Sequence, residues 1–215
     1  IPYLHKLKFG QVEREEGLAS HKKKGGTPTM GGVVFIVAAV IASYIGHYQN
    51  FMNPYVNLLT FSLLGFGIIG FIDDYLIVVQ HSNKGLKPSY KYAMQSVVAI
   101  AFYFLAKKFL PNFSTEIIIP IAHISVNLGW FYPIFVYFMF TAESNAVNLT
   151  DGLDGLATGL MIIALTPFVV FAILSKNVEA AIFGAALMGG LTGFLVFNAH
   201  PAKIFMGDCG SLALG

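Results

Sequence analysis

Asn148-Leu149-Thr150-Asp151-Gly152-Leu153-Asp154-Gly155 separates two hydrophobic runs with a polar, glycine-punctuated island. Two carboxylates three residues apart are costly beside a bilayer, and a segment that served burial alone would not carry them. Islands of the same kind flank it: Phe71-Ile72-Asp73-Asp74-Tyr75 upstream, and Phe205-Met206-Gly207-Asp208-Cys209-Gly210-Ser211 downstream. Together the three contain every aspartate in the chain.

Around these islands the chain is 56% hydrophobic and 11% charged, with a positive mean hydropathy, whereas a soluble domain carries about a quarter charged residues. That balance marks an integral membrane protein. A formal charge of +2 is too small to imply a nucleic-acid partner, and the basic residues are not interleaved with aromatics along a solvated face. A single cysteine, Cys209, excludes an internal disulfide. The chain opens on Ile1 without the basic, apolar and small-residue pattern of a signal peptide. It closes on Ser211-Leu212-Ala213-Leu214-Gly215, which reads as the start of a hydrophobic segment, so a piece of a longer protein is expected.

Hydrophobic runs of roughly the ~20 residues that a bilayer core requires predict spans at 30–48, 58–79, 93–110, 130–142 extended to 147, 156–174 and 181–197. The expected fold is an all-α polytopic membrane protein: six complete transmembrane helices and the start of a seventh at Leu212. Residues 1–215 form one transmembrane domain, with 1–29 as a cytoplasmic juxtamembrane segment and 30–215 as the helical bundle. If the N-terminal segment is cytoplasmic, ten basic residues face inward and only Lys107, Lys108 and Lys176 face outward, a positive-inside bias. Alternating spans then return all three aspartate islands to the cytoplasmic face. Residues 117–128 are rich in β-branched side chains, alternate in polarity over their second half and contain Pro120. They predict a short hairpin on the outer face with no catalytic part.

The islands suggest hard-metal and phosphate chemistry. Asp73 and Asp74 follow the apolar stretch 66–72, and neighbours on a helix point about 100° apart, so one is expected to do the chemistry and the other to support it. Asp151 and Asp154 have the spacing of one helix face, while Gly152 and Gly155 favour a loop; Asp154 as N-cap of a helix from Leu156 is compatible with ligand binding there. Asp208, read as exposed on a glycine loop, suits Mg²⁺, which takes one or two protein carboxylates and completes its shell with phosphate oxygens and water. Cys209 has no histidine beside it to act as a base, so it is not read as a nucleophile. His200 has no second histidine at ligand spacing and is read as structural or substrate-orienting. Carboxylates, lysines and a bilayer at one face point to phosphoryl transfer between a soluble anionic donor and a lipid acceptor.

Four ordered motifs carry a resemblance: Gly26-Thr27-Pro28-Thr29-Met30-Gly31-Gly32, Phe71-Ile72-Asp73-Asp74-Tyr75, Asn148 through Ala157, and Phe205-Met206-Gly207-Asp208. They resemble the phospho-N-acetylmuramoyl-pentapeptide transferase family, within the polyprenyl-phosphate hexosamine-1-phosphate transferases. The resemblance implies a ten-helix, Mg²⁺-dependent enzyme of the bacterial cytoplasmic membrane whose active site faces the cytoplasm. Its substrates would be UDP-MurNAc-pentapeptide and undecaprenyl phosphate, its products lipid I and UMP, and it allows a homodimer. Carried over by motif, Asp208 is the metal ligand and, with Asp73 and Asp74, catalytic. Lys24, Thr29, Asn148, Asp151, Asp154, Asn198 and Phe205 line the nucleotide site, with the Phe205 ring on uracil, and Lys91 meets a phosphate. Ile77 stands where the family often has a lysine. The family's first helix and its histidine-rich loop would lie outside residues 1–215, so this stretch alone is expected to be inactive. The alternatives are a sister transferase using UDP-GlcNAc or a related donor and, more distantly, an ion-coupled transporter, against which the clustering of aspartates at one face weighs.

Overall fold

A computed structural model describes residues 27–80, 85–119 and 122–215. The chain runs through α1 (Gly32–Gly46), α2 (Pro54–Gln80), α3 (Pro88–Phe109), strands β1 (Glu116–Ile119) and β2 (Ile124–Asn127), and a 3₁₀ turn at Gly129–Phe131. It continues through α4 (Tyr132–Thr150), α5 (Leu156–Leu174), α6 (Val178–Asn198) and α7 (Gly207–Leu214). Each predicted run is helical, and the hairpin forms with antiparallel pairing of Glu116 to Asn127 through Ile119 to Ile124.

Among the described residues, α2, α5 and α6 are long and apolar enough to cross a membrane, while α1 is apolar but shorter. This is a membrane protein. Helix α5 is apolar on every side and leaves Phe168 71% and Leu174 72% exposed, which fits a lipid solvent rather than water. Pro167 lies inside it, a placement that membrane helices tolerate.

Local chemistry sets the helix ends. Pro88 opens α3 after Lys87 in extended conformation, where its missing N–H costs nothing. Lys107 and Lys108 close the same helix, at the end of the macrodipole that favours cations. Asn177 caps α6 by accepting from the Ala180 amide at 3.1 Å.

Two layers of packing hold the site. Helices α1 and α6 enclose a core of Phe35, Ile36, Ala39, Leu187, Leu191 and Phe194, which Met206 joins. Helix α7 lies along α2, with Leu212 against Phe66 and Ile69. The close approach is made at Gly70, where a Cβ would overlap the Asp208 carbonyl. Gly70→Ala is therefore expected to part α2 from α7 and destabilise the fold by about 2 kcal/mol, the usual scale of overpacking. Thermal melting in detergent measures it, and an unchanged midpoint would contradict the crossing.

One reading is corrected here. Asp208 is not on a loop: it lies in the first turn of α7, which begins at Gly207, five residues before the predicted Leu212 start. The glycines that suggested a loop instead permit close helix packing. Asp73 and Asp74 lie within α2, which runs to Gln80, in keeping with the predicted span of 58–79.

Candidate active site

The site begins with the seating of α7. Gly207 adopts φ +70°, a conformation that disfavours other residues, and α7 turns in directly after it. The free amides of Asp208 and Cys209 then point at α2, where Asp74 accepts both, from Asp208 N at 3.1 Å and Cys209 N at 2.9 Å. Asp74 thus serves as an N-cap supplied from another helix. It is buried, as expected for a carboxylate whose partners are main-chain amides.

The segment ahead of α1 is fastened to the same corner. Phe205 N donates to Pro28 O at 2.8 Å, Gly31 N to Phe205 O at 2.9 Å, and Gly32 N to Met206 O at 2.9 Å. This pairing holds Met30 at φ +67°, rare for a side chain with a Cβ. It also seats Thr29, which is buried, beside Gly207.

Asp208 is gripped from two helices. Lys91 of α3 donates to and ion-pairs with Oδ2, and the Asn148 amide of α4 donates to Oδ1 at 2.8 Å and to Ser211 Oγ at 2.8 Å. Lys91 Nζ also lies 3.8 Å from Asp73 Oδ2, while Asp73 Oδ1 accepts from Leu86 N at 2.8 Å. Two carboxylates therefore converge on one cationic point, with side-chain exposures of 9% for Asp73 and 26% for Asp208. The opening is on the Asp208 side.

Electrostatics follow from this crowding. The Lys91 ammonium and the Asn148 amide both face the Asp208 carboxylate and offset the cost of its partial burial. Burial, with the charge of Asp208 added, pushes Asp151 up to about 7. Cys209 is buried in α7.

The remaining predicted residues form a second group. Asp154 does not cap α5: Gly155 occupies that position at φ +75° with no side-chain cap. Asp154 Oδ2 instead meets His200 Nδ1 at 3.0 Å and accepts from Ala202 N at 3.2 Å. Asn198 is buried, accepts from Thr158 Oγ1 at 2.7 Å and donates to Ile204 O at 3.0 Å. In this arrangement its amide holds the 199–206 loop that delivers Phe205, which is half-buried. Lys24 lies outside the described residues. Ser211 and the amides of Leu86 and Ala202 were missed in the sequence. For Ser211 a signal existed, since it follows Asp208 by three residues on one helix face.

Comparison with known proteins agrees with the motifs. Residues 55–215 match glycosyl transferase family 4, and residues 24–36 match phospho-N-acetylmuramoyl-pentapeptide-transferase signature 1. The chain is 50% identical over 217 residues to the phospho-N-acetylmuramoyl-pentapeptide-transferase of Bacillus subtilis (strain 168), covering 100% of this chain and 66% of that protein. It is 49% identical over 216 residues to the protein of that name from Halalkalibacterium halodurans, with the same coverage. The chain thus spans about 66% of the length of the relatives it matches. A match over the greater part of the chain, reaching from α2 through the Asp208 helix, establishes that the chain belongs to glycosyl transferase family 4.

Proposed function

We propose that the whole protein transfers phospho-MurNAc-pentapeptide from UDP to undecaprenyl phosphate, giving lipid I and UMP in peptidoglycan synthesis. One observation carries the reading: the signature segment, the Asp73-Asp74 island, Asn148 and Asp208 meet at one corner, although they are spread along the chain. The relatives' shared name, phospho-N-acetylmuramoyl-pentapeptide-transferase, supports the identity of the group transferred.

In the reaction an oxygen of the acceptor phosphate bonds to the sugar-bearing phosphorus of the donor. The bond from that phosphorus to the bridging oxygen breaks, and its electron pair leaves with UMP. Such transfers leave the protein mainly positioning and charge neutralisation to supply. The acceptor's second pKa is near 6, so at pH 7 it is largely dianionic and a strong general base adds little. Lys91 offers its ammonium to phosphate oxygens, and Asn148 keeps Asp208 in one orientation. Asp73 and Asp208 suit Mg²⁺, whose hard shell takes one or two carboxylates, and the point between them already accommodates a cation, the Lys91 ammonium. When bound, Mg²⁺ would neutralise charge on the donor diphosphate.

The test is turnover by the full-length protein in detergent. Lipid I and UMP are expected from UDP-MurNAc-pentapeptide with undecaprenyl phosphate. Use of UDP-GlcNAc with no use of the muramoyl donor would replace this reading with the sister transferase.

The proposal includes six membrane crossings, with Asp73, Asp154 and Asp208 at the cytoplasmic face. In a Cys209→Ser background, single cysteines at Gln80, Leu153 and Lys203, all exposed, are expected to resist an impermeant thiol reagent applied to intact cells. Cysteines at Met52 and Lys176 should react. The opposite pattern would invert the topology.

A further inference from the structure

We propose that Gln95, one helical turn deeper than Lys91, is a positioning residue that sets how α3 and α4 together grip Asp208; as a statement about catalysis this rests on the transferase reading above.

Lys91 and Gln95 are four residues apart on α3, and Asn145 and Asn148 three apart on α4, so each pair shares a helix face. The upper members hold the two oxygens of Asp208, Lys91 on Oδ2 and Asn148 on Oδ1. The lower members meet directly: Asn145 Nδ2 donates to Gln95 Oε1 at 2.9 Å and to Thr141 O at 2.7 Å. The spacing of α3 and α4 decides whether Asp208 is held at both oxygens, and this bond fixes that spacing next to the site. A further bond, from Ser144 Oγ to Leu212 O at 3.2 Å, ties α4 to α7 at the same depth.

Stability alone does not account for Gln95. Its side chain is 0% exposed, and Nε2 has no hydrogen-bond partner among the described residues. A fully buried donor left unmade is destabilising, and an apolar side chain of the same length would avoid it. A glutamine kept there at a cost in stability fits a residue retained for the geometry it imposes. A second bond between the same helices, Ser96 Oγ to Tyr137 Oη at 3.3 Å, supplies the control. It joins α3 to α4 without contacting the Asp208 cluster.

The experiment compares Gln95→Met and Tyr137→Phe with wild type, as full-length proteins in detergent. Three quantities are read: melting temperature, kcat and KM with the muramoyl donor, and the rate at which acetic anhydride modifies Lys91, followed by mass spectrometry. For Gln95→Met the melting temperature should be unchanged or higher. Its kcat should fall about tenfold or more, the scale on which small misplacements act, with KM little changed. Lys91 should be modified several times faster while Lys107 is not. Tyr137→Phe should leave kcat and Lys91 as in wild type. Unchanged kcat and unchanged Lys91 modification in Gln95→Met would overturn the proposal, as would equal effects in both variants. If wild type does not use the muramoyl donor, the transferase reading fails, and the Lys91 modification rate alone decides whether Gln95 positions this cluster.

Discussion

Asp208→Asn is expected to lower turnover by at least ~10²-fold, the loss seen when a single preorganised electrostatic group is removed, and to raise the Mg²⁺ concentration needed for half-maximal rate. The geometry gives the reason. Asp208 has the larger side-chain opening of the two carboxylates beside Lys91, and it is the carboxylate on which Lys91 and Asn148 converge. Asparagine keeps the size of the side chain, but an amide cannot supply the charge that balances the Lys91 ammonium or a metal ion. Turnover measured against Mg²⁺ decides the point. A slow variant whose metal requirement matches wild type would remove Asp208 from the ligand set, and a near-normal rate would remove it from the chemistry.

The second large effect separates two adjacent carboxylates. Asp74 accepts two main-chain amides at the start of α7, so Asp74→Ala leaves both donors buried and unpaired. With charge-assisted bonds at the usual scale, the loss is about 3 kcal/mol. Turnover should fall with it, because Asp208 moves with the helix. Asp73→Asn should behave differently. Its side-chain oxygen can still accept from Leu86 N, so melting should remain close to wild type, while the charge beside Lys91 is lost and turnover falls. Melting curves and rates on both variants make the test. A destabilised Asp73→Asn beside a stable Asp74→Ala would reverse the two assignments.

Other features have smaller consequences. The pairing of residues 28–32 with 205–206 places the Thr29 segment under the same constraint as α7, and the two regions should respond together to substitution. The Asp154–His200 contact stands apart, on a histidine whose side chain is 83% exposed. It is suited to setting the loop before Phe205 rather than to holding a metal.

The amino-acid sequence by itself determined the class of the molecule and the identity of its polar islands. Charge is expensive in an apolar chain, so five aspartates in three short stretches, two of them glycine-bearing, stand out without any structure. Run length and turn residues likewise located the helices to within a few positions, and β-branched alternation located the hairpin. Tertiary structure decided the roles. Local propensity read Gly207 to Ser211 as a loop, but packing against Gly70 makes it a helix, because small residues there let two backbones approach. Adjacent positions on α2 must point different ways, yet only the arrival of α7 shows that Asp74 takes the amides while Asp73 turns to Lys91. Gln95 and Asn145 were invisible for the same reason. An isolated amide in a hydrophobic run carries no motif, and its meaning lies in the partner that folding brings from 50 residues away.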